Sequence, residues 1–206
     1  MEARHLSPKF EEAFRLAFDL HQTKGKQGRK GKDTPYVSHL MAVSSLVLEY
    51  GGSEEEAIAA LLHDAVEDQG GSDTLRLIEQ RFGPQVAKIV GDCSDCDGEP
   101  KPPWLERKAK YIAHIPHVAP SSRIVSLADK IHNAGTMLRD VREHGVKTFE
   151  RFNGKRDGTL WYYDSLARIF LAQRPDEMAK ELNRIVDDLY MAAEIERPQE
   201  LKVPEN

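Results

Sequence analysis

Leu61-Leu62-His63-Asp64-Ala65-Val66-Glu67-Asp68 is the stretch from which the rest of the chain is read. Upstream, Ile58, Ala59, Leu61 and Leu62 have the spacing of a buried helical stripe, with Glu54, Glu55 and Glu56 in the first turn. One imidazole and three carboxylates then follow within a few residues. Charged groups so close to an apolar run are costly to bury unless they are paired or bound to a cation. Glu67 and Asp68 stand at i+4 from His63 and Asp64, and on a continuous helix that spacing turns all four groups to one side. A divalent metal would stabilise such a cluster, so the stretch is expected to supply half of a metal site.

Working outward, Gly51-Gly52-Ser53 ends one helix, and Ser53 with Glu56 forms the capping box of the next. The helix before it carries Val37, Leu40, Met41, Val43, Val47 and Leu48 on its apolar face, with Pro35 at its start and His39 beside that face. A lone histidine there reads as a hydrogen-bonded core residue. Further upstream, Phe10, Ala13, Phe14, Ala17 and Phe18 predict a helix from Ser7-Pro8 to about His21. Between the two lies Lys24-Gly-Lys-Gln-Gly-Arg-Lys-Gly-Lys32, cations interspersed with glycines. This segment is either a solvated loop or a phosphate-binding one; its place in an acidic chain, just before Pro35-Tyr36-x-x-His39, favours phosphate.

Downstream, Gly70-Gly71 ends the central helix and Ser72 or Asp73 caps another through Leu75, Ile78 and Phe82; Gly83-Pro84 separates it from one through Val86, Ile89 and Val90. Asp92 to Pro103 reads as a loop, and Trp104 to about His114 as a helix. Ser121 or Ser122 caps a longer helix on which Asp129, Asn133 and Thr136 share one face; Asp129 follows Leu127-Ala128 as His63 follows Leu61-Leu62. A polar turn over Arg151 to Gly158, a helix opening at Trp161-Tyr162-Tyr163 and a last helix after Pro175 complete the pattern. No segment reads as a strand, so the expected fold is all-α.

With 206 residues, 40% hydrophobic and 31% charged, the chain has the composition of an ordinary globular domain. A net charge of −5 argues against nucleic acid as a partner. The apolar run Ala57–Leu62 falls far short of the roughly 20 residues of a membrane span, and no secretory leader opens the chain, so a cytoplasmic location is expected. Cys93 and Cys96 form a lone C-x-x-C without the second pair or histidines of a zinc site; the sequence leaves a redox role for them open.

His39, His63, Asp64 and Asp129 together are a mixed nitrogen and oxygen set suited to Mn²⁺, Fe²⁺ or Zn²⁺. A histidine, a His-Asp doublet and a distant aspartate in that order resemble the ligands of the HD phosphohydrolase superfamily. Arg29-Lys30-Gly31, Pro35-Tyr36-x-x-His39, Ala60 to Asp68, Phe82-Gly83 and Leu127-Ala128-Asp129-Lys130-Ile131-His132-Asn133 look like the hydrolase domain of RelA/SpoT homologues. The likeness runs from about Phe10 to Ala193, and its length is that of the single-domain small alarmone hydrolases. It implies an HD-domain bundle of about eight to ten helices, filling residues 1–197 with 198–206 as a tail.

The resemblance implies that His39, His63, Asp64 and Asp129 hold a metal, usually Mn²⁺, and that Glu67 and Asp68 orient and deprotonate the attacking water. It places Arg29 and Lys30 beside the nucleotide, Asn133 and Thr136 near ribose and base, and Tyr162 near the nucleotide. Lys32 or Lys155 would add charge for the pyrophosphate. The implied reaction is hydrolysis of the 3′-pyrophosphate of (p)ppGpp, giving the nucleoside 5′-di- or triphosphate and pyrophosphate. Cys93-Ser94-Asp95, the prolines at 100, 102 and 103, and Thr148 to Thr159 depart from the family pattern, which leaves the adenine analogue (p)ppApp as a substrate. Two rivals remain: an HD-type hydrolase of dNTPs, nucleoside monophosphates or the NADPH 2′-phosphate, and a non-catalytic alarmone-binding sensor. Oligomeric state is left open.

Overall fold

The computed structural model describes residues 5–96 and 100–204. Residues 1–4 of the expected domain, 205–206 of the expected tail and 97–99 of the expected loop lie outside the described residues. Among the described residues there are ten α-helices and no strand; Gly28 and Pro35 form one isolated antiparallel bridge. The all-α expectation is met. By internal packing the chain divides into Met1–Lys101 with Ala119–Ala128, and Pro102–Val118 with Asp129–Asn206.

The first unit holds α1 (Pro8–Phe18), α2 (Val37–Glu49), α3 (Glu54–Leu62), α4 (Ala65–Asp68), α5 (Gly71–Phe82), α6 (Pro84–Cys93) and the start of α8 (Pro120–His144). α3 is its centre, packing on α1, α2 and α6, and every residue from Ala57 to Leu62 is buried. The capping box forms as the sequence predicts, with Ser53 Oγ accepting from the Glu56 backbone and the Glu56 carboxylate accepting from the Ser53 N–H. The Ser44 hydroxyl ties α2 to α3 through the Ala57 carbonyl at 2.9 Å.

Several boundaries differ from expectation, each for a local reason. α1 does not simply end near His21; it passes into a π-helical turn, Asp19–Lys24, in which Gly25 N–H reaches Leu20 O at 2.9 Å. The central stretch is not one helix, because α3 stops at Leu62 and His63-Asp64 form a turn before α4. Gly70, at φ 117°, precedes α5 in a conformation few side chains tolerate, so Ser72 and Asp73 lie inside the helix rather than at its cap. α8 begins at Pro120, placing Ser121 and Ser122 within its first turn.

The second unit contains α7 (Trp104–His114), the remainder of α8, α9 (Lys155–Gln173) and α10 (Glu177–Ala192). α9 starts before the expected Trp161 and is buried almost continuously from Gly158 to Ala167. It packs on α7 and α10. Asp164, with its side chain wholly buried, accepts from Arg168 Nε at 2.9 Å and from Arg197 Nε at 3.0 Å. Arg168 also donates to the carbonyls of Gln199 at 2.6 Å and Pro198 at 2.5 Å, so the segment after Arg197 is tied to α9.

Candidate metal centre

The break after Leu62 builds the first part of the site. On an uninterrupted helix adjacent residues point about 100° apart. Here His63 closes α3 at φ −60°, ψ −32° and Asp64 follows at φ −94°, ψ −2°. The two adjacent side chains consequently face each other, His63 Nε2 lying 3.0 Å from Asp64 Oδ2. His39, wholly buried on α2, brings its Nε2 to 3.6 Å from the same oxygen. The Tyr36 hydroxyl donates to it at 2.5 Å. One carboxylate oxygen thus gathers two ring nitrogens and a phenol.

The tautomer of His63 shows what this arrangement suits. Its Nδ1 lies 2.8 Å from the Ala60 carbonyl oxygen, which can only accept, so Nδ1 carries the proton. In the neutral ring this leaves the lone pair of Nε2 facing the Asp64 carboxylate. Two acceptors at that distance are stabilised by a proton on the ring or by a cation shared between them. Two imidazole nitrogens and a carboxylate suit Mn²⁺, Fe²⁺ or Zn²⁺, so these residues fit a divalent ion.

Glu67 and Asp68 stand one turn further along, on α4, with side chains 22% and 25% exposed. Lys101 Nζ lies 3.5 Å from Glu67 Oε1 and 3.7 Å from Asp68 Oδ1. Burial pushes the Asp68 carboxyl above its ordinary range and the charge of Asp64 adds to that, against the Gln27 amide, Lys101 and His21. A carboxylate raised in this way is a better proton acceptor near neutral pH. Gln27 Nε2 donates to Asp68 Oδ2 at 2.7 Å, while the Gln27 carbonyl accepts from Gln69 Nε2 at 2.8 Å.

The basic segment is ordered by its own backbone. Gln27 N–H reaches His21 O at 2.7 Å, Tyr36 N–H reaches Gln27 O at 2.9 Å, and Arg29 N–H reaches Thr34 O at 2.8 Å. The Arg29 guanidinium lies over the Tyr36 ring, 5.7 Å from its centre, next to the hydroxyl that meets Asp64. Lys30 is exposed and Lys32 half-buried.

In the second unit, Asp129 is 6% exposed and accepts from Lys130 Nζ and from Asn133 Nδ2, both at 2.5 Å. Asn133 thus spends an amide hydrogen on Asp129. Lys130 is buried over Tyr111 and Tyr162, 4.8 and 5.7 Å from the ring centres. Burial disfavours its charge, yet Asp129 first and the tyrosines after it hold the ammonium well above its usual range. Tyr162 is 5% exposed. Thr136 Oγ1 accepts from Arg139 at 3.2 Å. Lys155 Nζ donates to the Glu150 carbonyl at 3.0 Å and lines a cavity of about 910 Å³ with Trp104, Lys147 and Arg156.

Sequence reasoning missed four residues. Tyr36 had a signal, since it lies one turn before His39 in Pro35-Tyr36-x-x-His39. Gln27, His21 and Lys101 had none, because an amide in a basic loop, a histidine at a helix end and a loop lysine carry no spacing of their own. Cys93 and Cys96 are half-buried and form no disulfide among the described residues.

Comparison with known proteins places these features in a wider set. The HD domain family matches residues 13–160. The chain is 37% identical over 134 residues to a Xenopus tropicalis protein named guanosine-3′,5′-bis(diphosphate) 3′-pyrophosphohydrolase MESH1, covering 64% of this chain and 68% of that one. The Homo sapiens protein of the same name is 38% identical over 130 residues, covering 61% and 67%. A solved structure described as a metazoan ortholog of SpoT that hydrolyzes ppGpp and plays a role in starvation responses superimposes with a TM-score of 0.69 at 26% identity, covering 92% of this chain and 97% of that one.

Proposed function

This chain belongs to the HD-domain family, and from that premise we propose that it hydrolyses the 3′-pyrophosphate of ppGpp-type alarmone nucleotides. The observation that carries the reading is the convergence of His39 Nε2, His63 Nε2 and the Tyr36 hydroxyl on one oxygen of Asp64, next to Glu67 and Asp68. The activity for which the relatives are named supports the choice of substrate.

His39, His63, Asp64 and Asp129 are the proposed ligands of a divalent ion, Mn²⁺ by preference. Asp129 is supported by its burial and by the clamp of Lys130 and Asn133 that sets its carboxylate. When bound, such an ion supplies a Lewis acid that makes water more acidic and offsets charge on the phosphoryl oxygens. Glu67 or Asp68 takes the proton of the attacking water, whose oxygen bonds to the phosphorus joined to the ribose 3′ oxygen. The bond between that phosphorus and the 3′ oxygen breaks; pyrophosphate leaves and the 3′ oxygen is protonated. Arg29, Lys30 and Lys32 on the first unit are assigned to the phosphates. On the second, Lys155 is assigned to the charge of the pyrophosphate as well, Asn133 and Thr136 to ribose and base, and Tyr162 to the nucleotide.

We assign the hydrolase fold to residues 1–197, with 198–206 as its tail, and a cytoplasmic location. No helix among the described residues is long and apolar enough to cross a membrane. The proposed partner is a small nucleotide rather than nucleic acid, in keeping with a net charge of −5.

Product analysis tests the reading. Mn²⁺-loaded protein is incubated with ppGpp, ppApp and NADPH, and the products are separated. Equal amounts of GDP and pyrophosphate from ppGpp are expected, and release from ppApp would extend the reading to adenine. Phosphate from NADPH with ppGpp untouched, or ppGpp bound without turnover, would overturn it.

A further inference from the structure

We propose that His21 is a positioning residue for Asp68, acting through the side-chain amide of Gln27. This rests on the reading of Asp68 as one of the two acids that handle the attacking water. His21 is wholly buried in the π-helical turn Asp19–Lys24, a kind of helix irregularity found often at functional sites. It stacks on Tyr36 with ring centres 5.3 Å apart and planes 17° from parallel. Its Nδ1 lies 2.8 Å from Gln27 Oε1, an atom that can only accept, so Nδ1 carries the proton.

Gln27 Oε1 receives a second donor, Gln69 Nε2, at 2.8 Å. With two donors on its oxygen, the amide can face Asp68 only with its nitrogen, and Nε2 reaches Asp68 Oδ2 at 2.7 Å. The reverse orientation would set the Gln27 oxygen against the Asp68 carboxylate and its NH2 against two donors. His21 therefore helps to choose which end of an otherwise symmetric-looking amide meets the acid. That bond occupies Oδ2 and leaves Oδ1 of Asp68 for Lys101, at 3.7 Å, and for water.

The role accounts for a polar group in a poor place. Once Nδ1 donates to Gln27, His21 Nε2 is a buried lone pair with no hydrogen-bond partner among the described residues. A buried polar atom left without a partner destabilises the fold, so a residue selected for core packing alone would be apolar. The backbone repeats the linkage, since Gln27 N–H binds His21 O at 2.7 Å and Tyr36 N–H binds Gln27 O at 2.9 Å.

The test compares His21→Leu, His21→Asn and Gln27→Leu with the wild type, reading kcat and KM for pyrophosphate release from ppGpp and bound Mn²⁺ by elemental analysis. Asn can place Nδ2–H where the histidine has Nδ1–H. His21→Leu and Gln27→Leu are each expected to lower kcat by about tenfold to a hundredfold, with KM and bound Mn²⁺ unchanged. His21→Asn should recover most of the rate, and the double Leu variant should be no slower than either single one. Wild-type kcat in both Leu variants, or loss through KM or metal content instead of kcat, would overturn the proposal. So would a folded His21→Asn no faster than His21→Leu. If His21→Leu does not fold, the half-buried Gln27→Leu and His21→Asn decide alone. Wild-type protein that releases no pyrophosphate from ppGpp sinks the functional reading itself; an active wild type with indifferent variants sinks only the positioning role.

Discussion

Asp64 and Asp164 both sit among other polar groups, but their partners differ in kind. Asp164 meets two guanidiniums, Arg168 and Arg197, which are charged at every physiological pH. Asp64 meets the Nε2 atoms of two imidazoles and a tyrosine hydroxyl, and in His63 the ring proton is already given to Ala60. The protein itself neutralises Asp164 and uses it to hold α9, α10 and the segment after Arg197 together. Around Asp64, the neutral His63 ring turns a lone pair toward the carboxylate, an arrangement that a cation would complete. Charge that the fold completes holds structure together, while charge left for a cation to complete forms a site.

The contrast can be broken by exchanging the two outcomes. Asp64→Ala should cost pyrophosphate release at least about a thousandfold and remove bound Mn²⁺, while the protein without metal still melts cooperatively. Retained metal with normal turnover would show that Asp64 is structural after all. Asp164→Asn should do the reverse, losing about 3 kcal/mol in urea unfolding by stranding two guanidiniums, while kcat at low temperature stays near wild type. A variant as stable as wild type would dissolve the comparison from the other side.

Two smaller effects sharpen it. Glu67→Gln should keep its Mn²⁺ and lose rate by about a hundredfold, which separates proton handling from metal holding; normal turnover would move that role away from Glu67. The last test is the acid limb of stability. Burial alone would raise the Asp164 carboxyl, but the hydrogen bonds from Arg197 and Arg168 outweigh it and hold the group below its ordinary range. A carboxyl lowered on folding stabilises the folded state above its unfolded value, near 3.9, and that contribution fades as pH falls toward the folded value. Urea midpoints measured downward from pH 5 should therefore fall more steeply for the wild type than for Asp164→Asn. Parallel curves would mean that the ion pairs do not set the acid response.

Local chemistry made much of this legible in one dimension. The capping box at Ser53 and Glu56, the helix start at Ser7-Pro8 and the Gly83-Pro84 junction depend on residues a few positions apart. The His63-Asp64 doublet stood out because charge beside an apolar run needs a reason. The break after Leu62 did not, since Ala65-Val66-Glu67-Asp68 is as good a helical sequence as what precedes it. Where Gln27 points was equally hidden, because the donors on its oxygen come from His21 and Gln69.

By itself, then, the sequence determined an all-α chain, the residue types able to hold a divalent ion, and the family whose pattern they match, because periodicity, caps and ligand chemistry are properties of side chains near one another in the chain. Tertiary structure alone decided that two imidazoles and the Tyr36 hydroxyl share one oxygen of Asp64, and that His21 meets the amide facing Asp68. Those arrangements join helices and loops far apart in sequence, where hydrogen-bond direction and a few tenths of an ångström, rather than composition, set the outcome.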